Sequence, residues 1–212
     1  MNRAGTQRYS RRSGDLIHNE GMPLNLPIAL TWLRIILIPL FVGVLYLPTH
    51  LIEPGLADIV AMGIFVLAAI TDWLDGYLAR ALNQTSAFGA FLDPVADKLM
   101  VAAALLVLVQ FGRVHAVVAI IIIGREITIS ALREWMAQMG RSRHVAVSFI
   151  GKIKTAAQMT AIPFLLFNGA LPHLPWTAHE IGAPLIWLAA VLTLVSMFYY
   201  LRVAGQAARE VG

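Results

Sequence analysis

Asp72 opens the run D-W-L-D-G-Y-L-A-R, and eight residues beyond it Gly89 opens G-A-F-L-D-P-V-A-D. Asp72, Asp75, Asp93 and Asp97 therefore stand together in a stretch otherwise apolar enough for a bilayer. Carboxylates in such surroundings are too costly to leave unpaired, and a cation is the partner that would gather four of them. Oxygen ligands of this kind suit Mg²⁺ or Mn²⁺. Two such ions about 4 Å apart can stabilise both the attacking and the leaving oxygen of a displacement at phosphorus. A substrate carrying a pyrophosphate supplies the negative charge that such a pair neutralises.

Helical register supports a single site. At about 100° per residue, Asp72, Asp75, Gly76, Ala79 and Arg80 fall within roughly 140° of one helix. Gly89, Asp93 and Asp97, each four residues from the next, cover about 80° of the following one. Two carboxylate pairs on neighbouring helices can thus converge, and the glycines admit close approach of backbone or phosphate. Arg80 offers a planar fork suited to phosphate oxygens, with a snorkelling arginine at a helix end as the plainer alternative.

A second polar group lies further along. Arg125 and Arg133 are about 80° apart on their helix, with Glu126 and Glu134 each one residue on. Arginines inside an apolar helix need anions, either these glutamates or a substrate phosphate. Lys152 and Lys154 are about 200° apart, so one pocket takes only one of them. Lys152, which shares a face with Ser148 and Thr155, is the expected choice. Thr31 and Arg34 on the first apolar span are further candidates. Lys98 reads as an interfacial or ion-paired lysine, and the histidines lack ligand-like spacing.

The elements that must position these residues are membrane helices. The chain of 212 residues is 58% hydrophobic and 13% charged, far more apolar than a soluble domain. Six spans are expected at roughly 27–48, 56–81, 91–111, 114–139, 147–168 and 181–204, most near the ~20 residues a crossing needs. The fold class is therefore all-α, a polytopic membrane protein with six transmembrane helices occupying residues 23–212. Residues 1–22 read as a disordered basic tail without the apolar core of a signal peptide. With no cysteine, disulfides and thiolate metal sites are excluded. The net charge of +4 sits at span ends and in the tail rather than on one soluble face, so no nucleic-acid partner is expected.

Loop charges set the orientation. Arg80, Arg141, Arg143, Arg202, Arg209 and the tail lie on one side, and Arg113 alone on the other. The positive-inside rule places both termini and the four aspartates on the cytoplasmic face of the inner membrane.

The pattern D-x-x-D-G-x-x-A-R-x8-G-x-x-x-D-x-x-x-D resembles the signature of the CDP-alcohol phosphatidyltransferases and is matched at every defined position. The segments N-L-P-I-A-L-T-W-L-R-I from Asn25, G-R-E-I-T-I-S-A-L-R-E-W-M from Gly124 and G-K-I-K-T-A-A-Q-M from Gly151 are similar to the branch that uses sn-glycerol 3-phosphate. The resemblance covers nearly the whole chain after Met22. It implies CDP-diacylglycerol as donor, with two Mg²⁺ or Mn²⁺ ions on Asp72, Asp75 and Asp93, and Asp97 as general base with a possible share in the metals. It further implies that Gly76, Ala79, Arg80 and Gly89 bind the cytidine diphosphate, and it adds to the preference for Lys152, beside Arg125 and Arg133, at the acceptor phosphate. A homodimer in contact with membrane lipid is the expected assembly. Two rival readings stay open: the same family with inositol phosphate, serine or phosphatidylglycerol as acceptor, and a divalent-cation transporter that uses the aspartates for permeation.

Overall fold

The computed structural model describes residues 26–81, 87–138, 149–172 and 174–209. The N-terminal tail, residues 82–86 and residues 139–148, with Arg141 and Arg143, lie outside the described residues. Six helices follow in order: α1 (Leu26–Leu45), α2 (Pro54–Ala81), α3 (Ala87–Gln110), α4 (Ala116–Gln138), α5 (Phe149–Phe167) and α6 (Ala178–Arg209). Each contains one of the apolar runs expected to cross the membrane. In α1, α2 and α6 the stretches Ile28–Leu45, Pro54–Leu78 and Ala178–Arg202 are long and apolar enough to span by themselves. The other three carry Asp93, Asp97 and Lys98, then Arg125, Glu126, Arg133 and Glu134, then Lys152 and Lys154, which lower their hydropathy.

Local chemistry ends the helices where the sequence punctuates them. Gly112 takes φ +67° just past α3. Arg113 N donates to Leu108 O at 2.8 Å and Gly112 N to Val109 O at 3.0 Å, closing a Schellman cap that needs a left-handed residue. Asn168 plays the same part after α5, with φ 50° and its N donating to Phe164 O at 3.1 Å. Thr177 and Glu180 form a capping box at the start of α6: Thr177 N donates to Glu180 Oε2 at 2.7 Å, and Glu180 N donates to Thr177 Oγ1 at 3.3 Å.

The helices pack as a closed ring in the order α1, α2, α5, α6, α4, α3, with α3 also touching α2 and α5. On α2 the inward face is mostly small residues and the outward face mostly large ones: Ala57, Ala61, Phe65 and Ala68 are buried, while Ile59, Leu67, Ile70 and Trp73 are exposed. Lipid tails are as apolar as leucine, so helices gain little by hiding large side chains and gain more by close van der Waals approach. Gly182 shows how close: a Cβ there would lie 2.7 Å from Leu165 Cγ, so α5 and α6 could not meet as they do. A central cluster of Phe41, Phe65, Leu105, Leu108, Ile122 and Leu165 joins all but one of the helices, and Ile186 ties in the last.

Both polar groups sit at one end of this up-and-down ring. At the other end, Arg113 donates from Nη2 to both Asp58 oxygens, at 2.9 and 2.7 Å, and from Nη1 to the carbonyls of Leu165 and Leu166. One arginine thus ties the α3–α4 turn to the start of α2 and caps the end of α5.

Candidate active site

The site is built where α1, α2 and α3 meet. Thr31 and Arg34, one turn apart on α1, are both buried and point at the carboxylates. Arg34 is only 1% exposed, yet it carries a full charge. Its Nη2 donates to Asp75 Oδ2 at 2.5 Å, and its Nη1 lies 2.7 Å from Asp72 Oδ1. The second approach is an ion pair without hydrogen-bond alignment, so Nη1 and Nε are buried with no hydrogen-bond partner among the described residues. Thr31 Oγ1 donates to Asp93 Oδ1 across from α3. Asp72 and Asp93 both act electrostatically on Asp75.

Asp72 and Asp93 thus lie within electrostatic range of Asp75, and Asp97 within range of Asp72. Asp75 is buried, whereas Asp72 keeps 44% of its side chain accessible. Gly89 is buried at the start of α3 and Gly76 is partly buried on α2. Ala79 and Arg80 belong to α2, but their side chains lie outside the described residues.

Asp97 links this cluster to the second one. It lies within electrostatic range of Asp72 and Arg34 on one side and of Glu126 and Lys98 on the other. Glu126 is the hub of the second cluster, where α4, α5 and α6 meet. Its Oε1 accepts from Lys154 Nζ at 2.5 Å and from Arg125 Nη1 at 3.2 Å. The Arg125 guanidinium also lies 5.7 Å from the Tyr200 ring centroid. Its Nε is buried with no hydrogen-bond partner among the described residues.

Some expected residues take other places. The inward lysine of α5 is Lys154, 3% exposed, while Lys152 is exposed. The expectation from Ser148, Lys152 and Thr155 followed the polar side of the helix. The packed side is the stripe Gly151, Lys154, Ala157, Gln158 and Ala161, continued by Ile162 and Leu165, which lies against its neighbours. That spacing of threes and fours was the available signal, and Gln158 lies on the same stripe. Arg133 is exposed on the last turns of α4, so it is not gathered with Arg125. The pairing of Arg125 with Glu126, the plainer alternative from sequence, is present in the structure.

The two clusters have opposite electrostatic demands. Around Arg34, one guanidinium contacts Asp72 and Asp75 and lies within electrostatic range of Asp97, while Asp93 is held by Thr31; the oxygens are hard donors of the kind divalent cations take. Among the described residues, no three acidic or histidine side chains already surround a single point. The Arg34 fork bridges Asp72 and Asp75 instead. Around Glu126, two buried cations share one carboxylate, and a spare N–H remains. That arrangement fits an anion with several acceptor oxygens, such as a phosphate.

The chain belongs to the CDP-alcohol phosphatidyltransferase family, whose model matches residues 24–195. It is similar to the CDP-diacylglycerol–glycerol-3-phosphate 3-phosphatidyltransferase of Salmonella typhimurium (strain LT2), with 50% identity over 185 residues, 86% of this chain and 96% of that protein. The proteins of the same name from Escherichia coli (strain K12) and Shigella flexneri are each 49% identical over the same coverage.

Proposed function

We propose that this protein transfers the phosphatidyl group of CDP-diacylglycerol to sn-glycerol 3-phosphate, giving phosphatidylglycerophosphate and CMP. The observation that carries the reading is identity near one half, over most of both chains, to enzymes named for that reaction. The buried anion receptor at Arg125 and Lys154 agrees with an acceptor that brings its own phosphate.

In this reading Asp72, Asp75, Asp93 and Asp97 hold two Mg²⁺ or Mn²⁺ ions. When bound, the ions neutralise the pyrophosphate of the donor and stabilise charge on the leaving CMP. Gly76, Ala79, Arg80 and Gly89 cradle the cytidine diphosphate. Arg125 and Lys154, joined by Arg133 and Lys152 from the more open side, hold the acceptor phosphate. Asp97, between the two clusters, takes the proton from the acceptor hydroxyl. That oxygen forms a bond to the lipid-bearing phosphorus as the bond from phosphorus to the CMP oxygen breaks. Arg34 orients Asp72 and Asp75, and Thr31 orients Asp93.

All six helices are read as crossing the inner membrane, with the site facing the cytoplasm by the positive-inside rule and two chains forming a homodimer. A transporter reading leaves the Arg125–Glu126–Lys154 cluster without a task.

The test uses purified protein in detergent with CDP-diacylglycerol, Mg²⁺ or Mn²⁺, and separate acceptors: glycerol 3-phosphate, serine, inositol phosphate and phosphatidylglycerol. CMP release with glycerol 3-phosphate alone is expected. Release with another acceptor and none with glycerol 3-phosphate would replace the acceptor assignment.

A further inference from the structure

Arg34 holds the two aspartates of α2 unequally. Its Nη2 donates to Asp75 Oδ2 at 2.5 Å, and both partners are buried. Its Nη1 lies 2.7 Å from Asp72 Oδ1 without hydrogen-bond alignment, and Asp72 keeps 44% of its side chain accessible. The N–H groups of Nη1 and Nε are thus buried with no hydrogen-bond partner among the described residues. Donors on a buried charge are rarely left so, because they give up bonds to water and gain none in return. The guanidinium is anchored at Asp75 and has donors to spare on the side of Asp72.

The charges at the site indicate what those donors serve. Four ionised aspartates balance two divalent ions, so Arg34 is then a surplus positive charge. A donor that arrives with a diphosphate brings anionic oxygens, and a guanidinium meets phosphate oxygens with a planar fork of N–H groups. Without the ions, the same guanidinium is the counter-charge of Asp72. A carboxylate paired with arginine is a poorer metal ligand, since the two cations repel each other and claim the same oxygen lone pairs.

We propose that Arg34 is a pivoting counter-cation: it holds Asp72 until a divalent ion takes that carboxylate, then keeps Asp75 and turns Nη1 and Nε to the diphosphate of the donor. This rests on the aspartates being the divalent-ion site. Arg34 therefore acts in opposite directions on two ligands, weakening the ion and strengthening the donor. An arginine that only orients Asp72 and Asp75 would strengthen both.

The experiment measures Mn²⁺ binding by electron paramagnetic resonance, with purified protein in detergent and neither substrate present. Arg34→Gln should raise Mn²⁺ affinity about fivefold or more, because a competing cation is gone. That variant leaves Asp75 buried without a counter-charge, so Arg34→Lys is measured beside it. Lysine keeps Asp75 paired but lacks the fork that reaches both carboxylates, and it should raise Mn²⁺ affinity about twofold or more. With Mn²⁺ saturating and no acceptor, both variants should bind CDP-dioctanoylglycerol about tenfold more weakly by isothermal titration. Arg113→Gln, which removes a cation at the far end of the ring, should leave both affinities unchanged.

Mn²⁺ bound no more tightly by Arg34→Lys than by wild type overturns the proposal and leaves Arg34 as a residue that orients Asp72 and Asp75. Undiminished binding of CDP-dioctanoylglycerol by Arg34→Lys overturns it as well. No Mn²⁺ binding by wild-type protein removes the ion site and the proposal with it. Mn²⁺ binding without CMP release in the presence of glycerol 3-phosphate counts against the acceptor assignment alone, and the Mn²⁺ comparison still decides the part played by Arg34.

Discussion

Replacing Arg125 by alanine separates a phosphate receptor from a structural ion pair. Arg125 gives Glu126 one contact at 3.2 Å, whereas Lys154 gives it one at 2.5 Å. With Arg125 gone, Glu126 keeps its stronger partner, so no unpaired charge is left buried and the fold should survive. A charge-assisted hydrogen bond to the acceptor phosphate is lost, which costs about 1.5–3 kcal/mol, or roughly ten- to a hundredfold in affinity. The KM for glycerol 3-phosphate should rise by that factor, while the KM for CDP-diacylglycerol stays within about twofold. CMP release under single-substrate titration measures both, with thermal melting and gel filtration in detergent as checks on folding. Glu126→Gln is the counterpart: it leaves two cations sharing a neutral amide, and breaking a buried pair this way costs about 3–5 kcal/mol of stability. If Arg125→Ala melts as early as Glu126→Gln and raises both KM values alike, Arg125 is part of the scaffold and the phosphate assignment is refuted.

Asp93→Asn should remove nearly all CMP release while the protein stays monodisperse, because one neutral amide cannot replace a carboxylate in the proposed metal site; near wild-type turnover would end the two-ion assignment. Asp97→Asn should lower turnover about 10²–10⁴-fold, the usual contribution of a positioned base, with Mn²⁺ and CDP-diacylglycerol titrations unchanged. A large loss of Mn²⁺ affinity would make Asp97 chiefly a ligand. Arg113→Ala should lower stability by about 1.5–3 kcal/mol through the lost charged hydrogen bonds to Asp58 and the α5 carbonyls, with both KM values unmoved. An altered KM there would mean that the far end of the ring communicates with the site.

Covalent spacing and the helical period were sufficient for much of this protein. Apolar runs of about membrane length fix six helices, because a backbone in lipid must satisfy its own hydrogen bonds. The same period puts Asp72 with Asp75 and Asp93 with Asp97, since residues three or four apart share a face whatever the helix packs against. Helix ends were legible where Gly112 and Asn168 supply a left-handed residue. What depends on neighbours was not legible. Arg34 reaches Asp75 across 41 residues, Thr31 reaches Asp93 across 62, and Lys154 reaches Glu126 across 28. Those distances in sequence carry no periodic signal. Which of Lys152 and Lys154 turned inward was decided by the side of α5 that packs closely, the side of Gly151, Ala157 and Ala161. Arg113 looked from sequence like a stray charge on the sparsely charged side, and only the closure of the ring gave it Asp58 and two helix-end carbonyls to hold.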